Sequence, residues 1–292
     1  MRARLIANPV AGTDAAFAGA RALNDRLKGR FGPLDIVLTA ASGDAREAAR
    51  DAALGPYDYV FVAGGDGTLN ETINGLGAVP AGLERIAIGV LPFGTGNDFA
   101  AALGLPADPE AALHAILDGR ERRVDLGRVN GRLFANVSAG GFIADVSEAV
   151  TPPLKSVAGR FAYLIGGARA LLAAEPFDCT LDGKPHSCLM FAVCNAPMIG
   201  GGRLIAPDAR PDDGRLDVCL VSAMPMAEFV ALLRRVADGT HVDDERVTYF
   251  TTDRASLLFE RPINVNADGE PFETDRCDYE VLPGAARFLA GA

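Results

Sequence analysis

Residues 57–71 read Tyr57-Asp-Tyr-Val-Phe-Val-Ala-Gly-Gly-Asp-Gly-Thr-Leu-Asn-Glu71, an apolar run that leads into a glycine-rich loop. The run from Tyr57 to Ala63 predicts a buried parallel strand. Glycines at 64, 65 and 67 remove the Cβ atoms that would hold a phosphate away from backbone N–H groups, and they permit positive φ. From Leu69 onward the pattern predicts a helix, whose free N–H groups and positive dipole end favour an anion. Asp66 inside the loop would repel a bare phosphate, so its presence points to a magnesium ion between them. A Gly-Gly-x-Gly on its own is more often a tight turn; strand, acid and helix start together make it a phosphate loop. No Gly-Lys-Ser/Thr follows, and the third glycine of a dinucleotide fingerprint is missing.

A second unit of the same kind follows. Ile86-Ala-Ile-Gly-Val-Leu91 predicts a buried strand, Pro92-Phe-Gly-Thr-Gly-Asn-Asp98 a loop, and Phe99 onward a helix. Tandem strand, loop and helix units imply a parallel sheet, in which ligands bind at the carboxyl ends of the strands. Asp98 reads equally as a helix cap or a ligand contact; Thr95 and Asn97 are better placed to touch ligand. Upstream, the pattern predicts a strand at 2–7, a helix at 14–30, a strand at 34–39 and a helix at 43–54, with a short helix at 109–118.

After Val124 the character changes. Short runs at 133–138, 177–181, 189–194, 216–221, 256–260 and 263–267 predict strands at near-regular spacing, hence a second, antiparallel β domain. The expected domains are 1–123, 124–285, and a tail at 286–292 that returns to the first. Residues 157–174 and 225–235 predict amphipathic helices; such stripes usually pack on a sheet, although the first also suits a lipid surface.

The 292 residues exceed one typical core, and 49% hydrophobic content suits a globular chain. No apolar run approaches the roughly 18 to 20 residues needed to span a bilayer. The first residues enter a strand without a signal-peptide pattern, and five dispersed cysteines suggest neither a disulfide framework nor a zinc site; both features predict a cytoplasmic protein. A net charge of −10 argues against nucleic acid as partner and against tight docking on an anionic leaflet.

The chain resembles the bacterial diacylglycerol kinase-like lipid kinases, relatives of the sphingosine kinases and, more distantly, the NAD kinases. The resemblance runs through Asn8-Pro-Val-Ala-Gly12, Gly64 to Glu71, Pro92 to Asp98, Val124-Asp-Leu-Gly127, Phe134-Ala-Asn136, Gly200-Gly-Gly202, Pro207 to Asp217 and Asp268-Gly-Glu270. It implies an α/β N-terminal domain with a parallel, NAD kinase-like three-layer arrangement, and a β-sandwich second domain. It further implies a nucleotide site at Asn8, Thr39, Gly64, Gly65, Asp66, Gly67, Thr68, Asn70, Gly94, Thr95, Gly96 and Asn97. Two positions depart from the family: Ala11 replaces a frequent Ser, and Ile143 stands where many relatives carry an acid.

Phosphoryl transfer needs a base for the acceptor hydroxyl. On the residues alone Glu270 is a turn acid; the resemblance implies that it is the general base, with Asp66 helping to hold the Mg2+ of MgATP. Asp212, Asp213 and Asp217 surround Gly214, a pattern that fits an acidic hairpin turn or a hard-cation site. The resemblance implies a structural Mg2+ bound by Asp213 and the main-chain oxygens of Arg210 and Arg215. His114, His186 and His241 fit no ligand spacing, and Ser138 and Ser222 lack a nucleophile-elbow context.

The expected activity is transfer of the γ-phosphate of ATP to a lipid alcohol, diacylglycerol or a related molecule, through transient contact with a membrane surface. An NAD kinase-like enzyme and a non-catalytic nucleotide-binding regulatory protein are the alternatives. The acceptor lipid is open, because an apolar cleft is all that acyl chains require. A homodimer is the default assembly.

Overall fold

The computed structural model describes residues 1–9, 25–144 and 175–291. The expected helix at 157–174 and Ala11 lie outside them, as does most of the helix at 14–30. Two compact units emerge. The first holds the described residues up to Leu126, with Pro211–Asp213 and the chain from Leu282; the second holds the described parts of Gly127–Arg210 and Gly214–Val281.

In the first unit the chain runs β1 (Ala3–Ala7), α1 (residues 25–31), β2 (Leu34–Leu38), α2 (Asp44–Leu54), β3 (Tyr59–Gly64), α3 (Asp66–Gly77), α4 (Gly82–Arg85), β4 (Ala87–Pro92), α5 (Asp98–Ala102), α6 (Pro109–Asp118) and the start of β5 (Arg120–Val129). The strands lie in the order β2-β1-β3-β4, all parallel, and Arg287–Leu289 adds a further parallel strand beside β4. Every residue of β4, and all of β3 after Tyr59, is buried, as the unbroken apolar runs require for strands covered on both faces.

Helix α2 buries Ala45, Ala48, Ala49, Ala52 and Ala53, a face without bulk that lets α3 approach closely. A Cβ at Gly75 of α3 would lie 2.2 Å from the Arg46 carbonyl oxygen and 2.9 Å from the Ala49 methyl. Gly75→Ala is therefore expected to destabilise the protein by about 1 to 3 kcal/mol, read as a lowered urea midpoint. Unchanged stability would show that the crossing yields freely.

The second unit contains the rest of β5, β6 (Arg132–Phe134), β7 (Val137–Gly141), β8 (Phe177–Leu181), β9 (Lys184–Cys194), β10 (Met198–Ile199), β11 (Arg203–Leu204), β12 (Leu216–Ser222), α7 (Met226–Arg235), β13 (Val247–Thr252), β14 (Arg254–Ala267) and most of β15 (Glu270–Ala290). Antiparallel pairing gives the order β13-β12-β9-β7-β14-β15. Alternation along these strands builds two apolar clusters. One gathers Phe134, Phe191, Val193, Val218, Leu257 and Val265; the other sets Phe229 and Leu232 of α7 against Ala139, Ala192 and Cys219. Ile143 packs on the second cluster, so an apolar side chain suits its place.

Several expected boundaries are corrected. Helix α3 begins at Asp66, not Leu69, and α5 at Asp98. The strand expected at 133–138 breaks into β6 and β7, because the N–H groups of Ala135, Asn136 and Val137 turn to the Asp268 carboxylate. The runs at 256–260 and 263–267 form one strand with an irregularity between Leu258 and Ile263, next to Pro262, which has no N–H to give. Strands β13 and β15 were not anticipated, since neither has the apolar density of the others.

All five cysteines are buried thiols. His241 is fully buried, with Nε2 3.1 Å from the Ile205 carbonyl oxygen and Nδ1 without a hydrogen-bond partner among the described residues. A carbonyl only accepts, so Nε2 carries the hydrogen and Nδ1 is the bare acceptor. Burial holds the imidazole below its ordinary value of 6.5. The unfolded chain then binds the extra proton first, so His241 leaves stability intact above pH about 6.5 and removes it as pH falls below that. Stability is expected to drop between pH 7.5 and 5, with the drop reduced in His241→Leu; equal drops in both proteins would exclude this source.

Candidate active site

In the first unit the continuation of the ladder past the strand ends gathers four chain segments. The Asn8 N–H donates to the Ala63 carbonyl (2.9 Å), the Thr39 N–H to Ala7 (3.0 Å), and the N–H groups of Phe93 and Gly94 to Gly64 (3.0 and 3.2 Å). Asn8, Thr39, the Gly64–Thr68 segment and the Gly94–Asn97 loop thus share the carboxyl edge of β2, β1, β3 and β4.

The two glycine segments touch. A Cβ on Gly94 would lie 2.4 Å from the Gly65 Cα, and one on Gly64 2.6 Å from Thr68 Oγ1. Thr68 is buried, and its Oγ1 also stands 3.5 Å from Asn8 Nδ2. Asn97, at φ 56, closes its own loop: its Oδ1 accepts the Gly94 N–H at 3.0 Å and its Nδ2 donates to the Gly94 carbonyl at 2.8 Å. The Asn97 side chain thus shapes the loop, and exposed Thr95 and Gly96 form its tip.

Asp66 is placed differently from a bare metal ligand. Its Oδ2 accepts the Asp98 N–H at 3.3 Å and its Oδ1 the Phe99 N–H at 3.2 Å, so it caps α5 from outside. Asp98, read from sequence as a possible cap, is the first residue inside that helix, and the N-cap position falls to Asn97. Burial, and next the nearby Asp98 carboxylate, push the Asp66 carboxyl above its ordinary value. Asn70 is 2% exposed within α3, and its Oδ1 accepts from Asn74 Nδ2 at 3.2 Å.

Side chains close the N-termini of α2, α5 and α6. Glu71 accepts from the N–H groups of Gly43 (3.0 Å) and Ala45 (3.1 Å) at α2, while Asp108 accepts from Ala111 (2.8 Å) at α6. Helix α3 has Gly65 as its N-cap and no capping side chain, and the first of its N–H groups with a backbone acceptor is that of Leu69, bonded to Gly65. Among the described residues the N–H groups of Asp66, Gly67 and Thr68 have no acceptor, which leaves them available to an anion. Gly67 is exposed, outside the left-handed region, and a methyl group added there would meet none of the described residues within 4 Å. Neither strain nor packing among the described residues demands glycine at this position.

In the second unit Asp268 (φ 49) and Gly269 (φ 89) form a two-residue turn, and Ala267 pairs with Glu270 across it. Both positive φ values mark the tight hairpin geometry that Asp-Gly favours. Glu270 is half-buried, and among the described residues its carboxylate accepts no hydrogen bond. Asn136 Nδ2 donates to the Met198 carbonyl at 2.7 Å, tying the glycine hairpin at 200–202 to the same strand end.

The acids around Gly214 (φ 72) separate by role. Asp212 pairs with Arg122, and buried Asp217 accepts from Tyr249 Oη at 2.8 Å. Asp213, Arg210 and Arg215 are exposed. Among the described residues no three His, Cys, Asp or Glu side chains cluster as a metal centre, and no helix is long and apolar enough to cross a membrane.

Residues 2–129 match the diacylglycerol kinase catalytic domain, and residues 135–290 match the YegS C-terminal NAD kinase beta sandwich-like domain. A diacylglycerol kinase of Bacillus subtilis (strain 168) is 32% identical over 92% of this chain and 89% of its own. The chain belongs to the diacylglycerol kinase family. A second relative, the diacylglycerol kinase of Staphylococcus aureus (strain JH9), is 34% identical over 92% of this chain and 86% of its own. A crystal structure from Bacillus anthracis, of a protein provisionally described as a diacylglycerol kinase, superposes with a TM-score of 0.85 at 27% identity, covering 99% of this chain and 95% of that one. Within this diacylglycerol kinase family member, the catalytic-domain match contains both glycine segments and the beta sandwich-like match contains Glu270. Sequence reasoning overlooked Glu71 and Asp268 as anchors. Each stood inside a quoted motif, but only the partner N–H groups, 26 to 28 residues from Glu71 and 131 to 133 from Asp268, reveal the role.

Proposed function

We propose that the chain is an ATP-dependent lipid kinase that phosphorylates the hydroxyl of diacylglycerol or a related lipid alcohol. The observation that carries this reading is the uncapped N-terminus of α3 beside the touching glycine loops, in a chain whose relatives are named diacylglycerol kinases. Backbone N–H groups of Asp66, Gly67 and Thr68, with the loop at Gly94, Thr95 and Gly96, hold the phosphates of ATP. Asn8 and Thr39 border the same sheet edge. Asp66 locks the second loop to the first and offers its remaining lone pairs to a cation.

Glu270 takes the proton of the acceptor hydroxyl, whose oxygen attacks the γ-phosphorus as ADP leaves. Mg2+ carried with ATP neutralises phosphate charge when bound. A structural Mg2+ at Asp213, with the Arg210 and Arg215 carbonyls, belongs to the same reading, since Mg2+ usually takes few carboxylates and completes its shell with carbonyls and water. So do a NAD kinase-like three-layer first domain and a transient, peripheral contact with the cytoplasmic membrane face. The test is a panel of lipid alcohols in mixed micelles, with NAD in parallel, scored by ADP release. Release that depends on one lipid supports the reading; release with NAD alone rejects it.

A further inference from the structure

Asp268 is an anchor that the proposed chemistry leaves unused. Its Oδ2 accepts the Ala135 N–H at 2.6 Å, and its Oδ1 accepts those of Asn136 at 3.0 Å and Val137 at 2.8 Å. Its own N–H donates to the Val137 carbonyl at 2.9 Å. Hydrogen bonds to an ionised carboxylate are the short, strong kind. These four tie the turn to the β6–β7 junction, where Val137 also pairs with Cys194. Ala267, on the near side of the turn, is in register with Ser138 of β7, so the hairpin tip is held from two directions.

Glu270, on the far side of that turn, has no side-chain hydrogen bond among the described residues. Its location is therefore inherited from Asp268 and Gly269. We propose that Asp268 is a positioning residue that fixes where the Glu270 carboxylate stands relative to the acceptor hydroxyl. This rests on Glu270 being the base. Displacement of a catalytic group by about 1 Å costs roughly 10²-fold in rate, whereas the nucleotide loops are formed by residues of the first unit.

The test is a kinetic cycle with Asp268→Asn, Glu270→Gln and the double variant, measuring kcat, the KM for MgATP and melting temperature. Asn-Gly suits the same tight turn, so Asp268→Asn keeps the hairpin while removing the charged acceptor. The expected result is a kcat lowered roughly 10- to 100-fold with the nucleotide KM changed less than about twofold. In the Glu270→Gln background the same substitution is expected to cost nothing further, because a group that acts through another has no effect once that other is gone.

Wild-type kcat in a folded Asp268→Asn protein would overturn the proposal. Losses that multiply in the double variant would overturn it too, while leaving Glu270 as base. Full activity in Glu270→Gln would overturn both. If Asp268→Asn fails to fold, Gly269→Ala serves: Gly269 has φ 89 and open space around its Cβ position, so the methyl strains only the turn. The same kcat-selective loss is expected, and unchanged kcat would reject the positioning role.

Discussion

Glu270→Gln is expected to lower kcat by roughly 10²- to 10⁴-fold, the usual contribution of a general base, with the nucleotide KM and melting temperature unchanged. The side chain is half-buried at the first position of β15 and bonds to no described residue, so the amide replaces it without disturbing the fold. Steady-state kinetics over varied MgATP and varied lipid would check this. A rise in nucleotide KM with kcat intact would assign Glu270 to binding instead.

Gly67→Ala is expected to separate folding from binding in the opposite way. The residue stands in the first turn of α3 with ordinary backbone geometry, and no described residue lies within 4 Å of its Cβ position. Alanine is favoured over glycine in a helix, so stability should hold or rise by up to about 1 kcal/mol. A phosphate seated on the N–H groups of residues 66–68 would meet the added methyl, and the dissociation constant for MgATP is expected to rise roughly tenfold or more, about 1.4 kcal/mol. Calorimetric titration with MgATP measures it. Unaltered affinity would mean that the phosphates do not approach this turn.

The alternation of strand and helix in the first unit is legible because each segment carries its own signal: buried strands without polar interruption, and glycines where chains nearly touch. The strand edge that gathers Asn8, Thr39, Gly64 and Gly94 follows from parallel order alone. Side-chain assignments were less legible. Asp98 does not play the part that local pattern suggests, since the cap of α5 arrives from Asp66, 32 residues upstream.

In the second unit the turn at Asp268 was visible as Asp-Gly, but its grip on Ala135–Val137 was not. A carboxylate that bonds distant backbone N–H groups leaves no periodic trace at either end. The same applies to β15, whose exposed charged residues at Glu273, Asp275 and Arg276 mask the burial of Cys277 and Tyr279 further along.

The most direct measurement is transfer of label from [γ-³²P]ATP, with Mg2+, to 1,2-diacylglycerol and other lipid alcohols in detergent micelles, with Glu270→Gln alongside. The account predicts radiolabelled lipid phosphate from the wild-type protein and almost none from the variant. Label that enters only NAD, or equal lipid labelling by both proteins, would contradict it.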